Sequence, residues 1–364
     1  MHRYQSLDQS RRTPIEQEHR VRLWWTVYIF DRSTSSRLGL PLSIRDDDID
    51  IQMPQENVEQ LGSAEQLIAN IELSRITGCI VRDMNGPSSR TNSAKSLIHN
   101  MRTNLKKLQT WDAQLPPSLR LGQAPNLPRP AASLQLHFNQ CIILTTRPVL
   151  LYVLKTKDPF ATSLRGTDDE PSQISETAKM LADSCIAAAR TSSSVLSQLF
   201  TENSLAFFGY FDAHHLFSSA LVLIISAILS PNSGDSDAVQ TAFYLLKTMR
   251  DCGNTIAMDY YTQLAHCQRT IARLRARSLS DTVISTSTHT ELHTAVDESA
   301  AEAIAYSIPN FEDLDWETSL LQDSAVAHDS MDMRNFALDP LGDPLLQTFL
   351  GGQADASWAG NLDI

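Results

Sequence analysis

His137 and Cys141 lie four positions apart, the interval that sets an imidazole beside a thiol on one helix face and so suits nucleophilic catalysis. Any helix with His and Cys at this interval does the same, and a packed helix face is the plainer reading. His214-His215 and His266-Cys267 are adjacent pairs, which diverge on a helix and make poorer ligand sets. Asp46, Asp47, Asp48 and Asp50 gather the oxygen ligands that hard divalent cations want. The run lacks the turning Gly and terminal Glu of an EF-hand loop, so a solvated loop, or ion pairs with Arg45, Arg20 or Arg22, accounts for it better. Cys79, Cys141, Cys185, Cys252 and Cys267 stand no closer than fifteen positions to one another. They cannot wrap a zinc ion as closely spaced thiolates do, and read as reduced core residues. No Gly-rich phosphate loop, HExxH or GxSxG occurs. Without those motifs no catalytic or metal-ligating residue is assigned, and neither enzymatic activity nor a cofactor is expected in this chain.

Charge is divided unevenly. After position 277 sixteen acidic residues face Arg334 alone, whereas the preceding part has three more basic than acidic residues. A near-neutral folded body followed by an acidic, disordered tail is the consequence. Arg269, Arg273, Arg275 and Arg277 form a basic cluster, read as interacting with the dipole at the end of the last body helix or docking the tail. A near-neutral body lacks the broad positive face that nucleic-acid affinity requires. Within the tail, Phe311, Leu314, Trp316, Leu320 and Leu321 alternate with Glu312, Asp313, Asp315 and Glu317. Acidic neighbours keep such side chains solvated and ready to enter a hydrophobic groove as a short helix, which is the chemistry of coactivator binding. A weaker copy of the same character spans Phe336 to Leu350.

The elements that position these groups are helices. Apolar periodicity predicts them over about 17 to 37, 64 to 84, 93 to 113, 132 to 155, 174 to 200, 205 to 229, 236 to 252 and 255 to 277. No segment shows sustained two-residue alternation, so the fold class is all-α, a multi-helix regulatory body over 1–277. A Ser/Thr-rich linker over 278–306 and the acidic tail over 307–364 follow. Pro148 should kink or split the fourth helix, since it lacks a donor and its ring clashes with the Leu144 carbonyl. The apolar run Leu221 to Leu229 falls short of the roughly 20 residues that span a bilayer and is read as a buried core helix. No membrane partner is expected. The N-terminus lacks the apolar stretch of a secretory signal.

One segment, RVRLWWTVYIFDRSTSSRLGLPLSIRDDDIDIQMP from Arg20 to Pro54, joins an amphipathic helix, a glycine stop and an acidic run. Val21, Trp24, Trp25 and Tyr28 form the apolar stripe, and Gly39 and Pro41 end the helix. The segment resembles the signature of the fungal-specific transcription factor domain, the regulatory middle domain of zinc-cluster transcription factors. Arg20, Arg22, Leu23, Trp24 and Trp25 fit its basic-Leu-Trp-Trp start, Asp31 and Arg32 its Asp-Arg pair. Gly39 and Pro41 fit its turn, and Asp47, Ile49, Asp50 and Pro54 its exit. Val21 replaces a usual basic residue and Leu40 a common Arg. Met1-His2-Arg3 resembles the end of a further family motif, so the resemblance implies a domain entered part-way, without its zinc cluster.

The resemblance implies a nuclear regulator of RNA polymerase II genes, acting as a homo- or heterodimer. It would recruit coactivator proteins through the tail and reach DNA only through an upstream zinc cluster or a partner. The alternatives are a DNA-binding-deficient regulator that pairs with an intact relative, and an all-helical enzyme or small-molecule-binding protein built on Leu205 to Leu229 with His214 and His215.

Overall fold

The computed structural model describes residues 13–56, 58, 61–85, 94–121, 127–157 and 174–285. They fold as helices α1 (Pro14–Leu38), α2 (Glu65–Asn85), α3 (Ala94–Gln114), α4 (Arg129–Lys157), α5 (Glu176–Thr201), α6 (Tyr210–Leu229), α7 (Ser233–Asp251) and α8 (Thr255–Ser285). There is no strand among the described residues. The chain is all-α, as its periodicity predicts.

The ends of α1 follow from local chemistry. Thr13 accepts from the Glu16 amide while the Glu16 side chain accepts from the Thr13 amide, a reciprocal capping box, and Pro14 occupies the first turn, where no donor is needed. At the other end Gly39 takes φ 64°, and its amide donates to the Ser35 carbonyl. Only glycine enters that left-handed region without a Cβ penalty.

The centre of the molecule is α4, whose residues from Leu134 to Leu154 are buried with one exception, half-buried Gln135. A helix surrounded on all sides must be apolar or have its polar groups bonded: Thr145 and Thr146 donate to the Cys141 and Ile142 carbonyls, and Asn139 donates to Ser192. It packs most extensively on α5, with α2, α3 and α6 against its other faces, while α6, α7 and α8 build a second layer. Two large apolar cores result: one is built mainly by α2, α3, α4 and α5 and takes in residues of α6, α7 and α8, the other joins α4, α5, α6, α7 and α8. A third, small core of Trp25, Tyr28 and Ile71 fastens α1 to α2.

Four sequence expectations change. First, α4 runs through Pro148 as one helix rather than splitting there. Residues 144 to 153 are all buried, so packing from neighbouring helices opposes the break that a lone proline would cause. Second, α6 begins at Tyr210 and not at 205. Asp212, in its first turn, accepts from the Ala206 amide, and the Gly209 amide donates to the Ala206 carbonyl, folding residues 205–209 into a turn instead. Third, α6 is long and apolar enough to cross a membrane, beyond the short run expected. Yet 78% of its most apolar window is buried inside the fold. Fourth, α8 continues to Ser285, past position 277. Arg269 and Arg273 therefore sit in the interior of a helix and not in its last turn, where a dipole interaction would operate. The side chains of Arg275 and Arg277 lie outside the described residues.

Candidate functional site

The Arg20 to Pro54 segment is built as a clasp. Trp25 is fully buried and its indole donates to the Gln52 carbonyl at 2.8 Å. Its ring meets Trp24 edge-on at 4.9 Å and Tyr28 at 5.2 Å. Val21, Ile29, Ile44, Ile49, Ile51 and Met53 surround this aromatic group, so the chain after Gly39 folds back along α1. Arg22 holds the far end of that return. Its guanidinium donates to the carbonyls of Gln55 (2.9 Å), Leu61 (2.7 Å) and Gly62 (3.0 Å), and to Glu18 at 2.8 Å. Glu18 in turn accepts from the Gln55 amide. Pro54 is buried, whereas Arg20, Leu23 and Pro41 are exposed.

Arg32 closes the near end. It is wholly buried and donates to Asp31 (2.6 Å), the Ile44 carbonyl (2.7 Å) and Asp46 (2.7 Å), with its cation 4.2 Å over the Tyr28 ring. Asp46 also accepts from the Tyr28 hydroxyl, and Asp31 from Ser43. Burial pushes the Tyr28 phenol well above its ordinary range, and the bond to Asp46 adds to the shift. This corrects the partners expected for the acidic run. Asp46 pairs with Arg32, which lies across the fold-back, because the clasp brings positions fourteen apart into contact. Asp47 pairs only with exposed Arg45 at 3.5 Å, and Asp48 and Asp50 are exposed. No group of three metal-ligating side chains occurs among the described residues.

His137 and Cys141 do share a helix face, but Thr77 of α2 stands against both. Its hydroxyl lies 3.0 Å from His137 Nε2 and 3.2 Å from Cys141 Sγ, and Asn70 Oδ1 is 2.9 Å from His137 Nδ1. The ring thus meets α2 at both nitrogens, Asn70 at Nδ1 and Thr77 at Nε2, while the Thr77 hydroxyl also reaches the Leu73 carbonyl. Burial, then the charge of Arg37, lowers His137 to about 3, and burial raises Cys141 to about 12. Near neutral pH the imidazole is too weakly basic to take a proton from the thiol, which stays protonated. The pair is a satisfied polar contact between α2 and α4.

A second polar group surrounds Arg37, which the sequence does not mark, and His214, which it offers only as a poor ligand pair with His215. Arg37, in the last turn of α1, lies 4.2 Å from the Phe211 ring and 5.5 Å from that of Tyr210. Its Nε and Nη1 are sequestered from solvent and make no hydrogen bond. Tyr210 stacks on His214, with centroids 6.2 Å apart, and His214 Nδ1 lies 3.1 Å from the Tyr260 hydroxyl. His214 Nε2 and the Ser218 hydroxyl are likewise buried and unbonded. Nearby, Asp212 is satisfied by a two-pronged bond from Arg129 and by the Ala206 amide. Burial, then the Arg37 charge, depresses His214 and His215 well below the ordinary histidine range. The only sequence hint of Arg37 was a cation on α1 with no acidic residue within one turn of it, too common a pattern to read.

The clasp residues belong to a region that comparison with known proteins identifies. Residues 1–113 match the model of the fungal specific transcription factor domain. The chain carries this domain. Among its relatives is an uncharacterized transcriptional regulatory protein of Schizosaccharomyces pombe, 30% identical over 251 residues, spanning 68% of this chain and 30% of that protein. The thiamine repressible genes regulatory protein thi1 of the same organism is 25% identical over 279 residues, spanning 74% of this chain and 34% of its own length. The acetamidase regulatory protein of Aspergillus oryzae is 29% identical over 204 residues, 55% of this chain and 24% of that protein. The chain thus spans about a third or less of these relatives. No solved structure matches it. The similarity to the relatives reaches beyond the fungal transcription factor domain as matched, since each alignment is longer than 113 residues. Phe311, Leu314, Trp316, Leu320 and Leu321 lie outside the described residues.

Proposed function

We propose that the chain is the regulatory and activation region of a fungal zinc-cluster transcription factor, acting in the nucleus on RNA polymerase II genes. The observation that carries this reading is the domain match over residues 1–113, together with relatives whose names are those of transcriptional regulators. Contact with DNA is assigned to a zinc cluster upstream of this region or to a dimer partner. No zinc or other cofactor is assigned to the chain itself. Two features of the fold support a binding role over an enzymatic one: His137 and Cys141 are held neutral, and the family motif is occupied by structural bonds that fasten a loop to α1. The activating element is the acidic-aromatic segment around Trp316, which suits an apolar coactivator groove.

Fusing the full chain to a heterologous DNA-binding domain should activate a reporter bearing its operator. Replacing Phe311, Leu314 and Trp316 together by Ala should remove most of that output at equal protein level. Unchanged reporter activity in the triple variant would refute the assigned activation surface. A silent wild-type fusion, expressed and nuclear, would count against activation altogether.

A further inference from the structure

The second half of α8 carries Arg269, Arg273, Arg275 and Arg277, with no acidic residue between Asp259 and Asp281. Arg269 and Arg273 are exposed, and because α8 runs on to Ser285 the dipole at its end is not their partner. Arg269 donates through Nε to the Ala265 carbonyl of its own helix, and neither arginine forms an ion pair among the described residues. Four positions apart, the two share a face of α8 opposite its buried residues Ala257, Leu264, Cys267 and Ile271. Half-buried Ala265 and exposed Ala272 border that face. The buried side packs on α6 and α7, so the arginine side is left to solvent.

The chain itself supplies a matching partner. Asp313 and Glu317 stand four positions apart, the interval of Arg269 and Arg273, so a helical turn there offers two carboxylates to two guanidiniums. Leu314 and Leu321 fall beside those acids at helical spacing, and small alanines bordering the arginines leave room for them. The connection is long enough. Asp313 follows Ser285 by 28 positions, a length that reaches up to about 95 Å when extended, whereas Arg269 lies ~24 Å back along the helix. Tethering also raises the local concentration of the segment to the millimolar range, which suits a contact made of few exposed ion pairs. A nucleic acid would need a broader positive face than this near-neutral body presents.

We propose that the exposed face of α8 around Arg269 and Arg273 is the docking surface for residues 311–321 of the same chain, with Asp313 and Glu317 against the two arginines. The contact is electrostatic in origin and exposed, so it yields to salt. It stands whether or not the segment activates transcription, and it is read as a distance rather than as reporter output.

In the full chain carrying Cys79→Ser and Ser319→Cys, a donor and an acceptor dye on exposed Cys252 and on position 319 report that distance by energy transfer. Transfer should be high at low ionic strength and fall in ~1 M sodium chloride, where the screening length is about 3 Å. The pair Arg269→Glu and Arg273→Glu should lower it, as should Asp313→Lys with Glu317→Lys, and all four together should restore it. Reversing Arg82 and Arg102 to Glu, on α2 and α3, should leave it unchanged. Transfer indifferent to salt, no loss on either charge reversal, or no recovery in the fourfold variant would overturn the proposal. An equal loss on reversing Arg82 and Arg102 would do the same, by making net charge the cause. Transfer between singly labelled chains mixed together would assign the face to the tail of a second copy and overturn the intramolecular contact.

Discussion

Two arginines five positions apart on one helix meet opposite environments, and neither identity alone foretells which. Arg32 is paired because Asp46 returns to it; Arg37 points to the aromatic side of α6. The buried histidines follow the same logic of surroundings over type. His137 and His215 are neutral in the folded state because burial, and next the Arg37 charge, hold them far below the ordinary range. In the unfolded chain they protonate near pH 6.5. As pH falls below that value the unfolded state gains protons that the folded state refuses, so stability is fully present above about 6.5 and declines on acidification. Each such histidine contributes at most about 1.4 kcal/mol per pH unit. Urea unfolding at pH 7 and pH 5 should show a clear loss at pH 5, and His137→Gln should shrink that loss. A midpoint independent of pH over this range would contradict the buried, neutral assignment. The sequence supplied the His137 and Cys141 interval, yet not Thr77 and Asn70, which lie about sixty positions away in sequence and decide that the pair is inert.

Helix existence was legible and helix ends less so, for reasons that differ between elements. The ends of α1 carry their own signals, Thr13-Pro14 with Glu16 at the start and Gly39 at the stop. The start of α6 and the persistence of α4 through Pro148 depend on packing that no local pattern encodes. Because Gly39 needs φ 64°, Gly39→Ala should destabilise the chain by about 1–2 kcal/mol. Gly39→Asn should recover part of it, since Asn tolerates the left-handed region. Denaturant titration of the three proteins checks the order; an Ala variant as stable as wild type would show that the clasp does not rely on this turn. The motif that looked most like a functional handle is thus an architectural one, and its aspartates divide between one engaged group, Asp46, and neighbours left in water.

Taken together, the helices leave one apolar stripe uncovered among the described residues of α1: Leu23, Val27 and Phe30 are 58%, 59% and 50% exposed at the spacing of a helical seam. The dimer implied by the family resemblance has a suitable contact there, a second copy of α1. Sedimentation of the full chain should reveal a dimer that Val27→Asp dissociates without lowering the melting temperature, since the position contacts water in the single chain. A monomeric wild type removes this face from the dimer proposal. The primary structure was sufficient for the class of fold, the charge division at position 277, the family and the aromatic stripe of α1, because periodicity, composition and short motifs are local properties. Only the tertiary structure decided which charges are paired. That Asp46 pairs directly with Arg32, while Arg37 faces aromatic rings and makes no ion pair within contact distance among the described residues, follows from a loop folding back on one side of α1 and from α6 packing on the other.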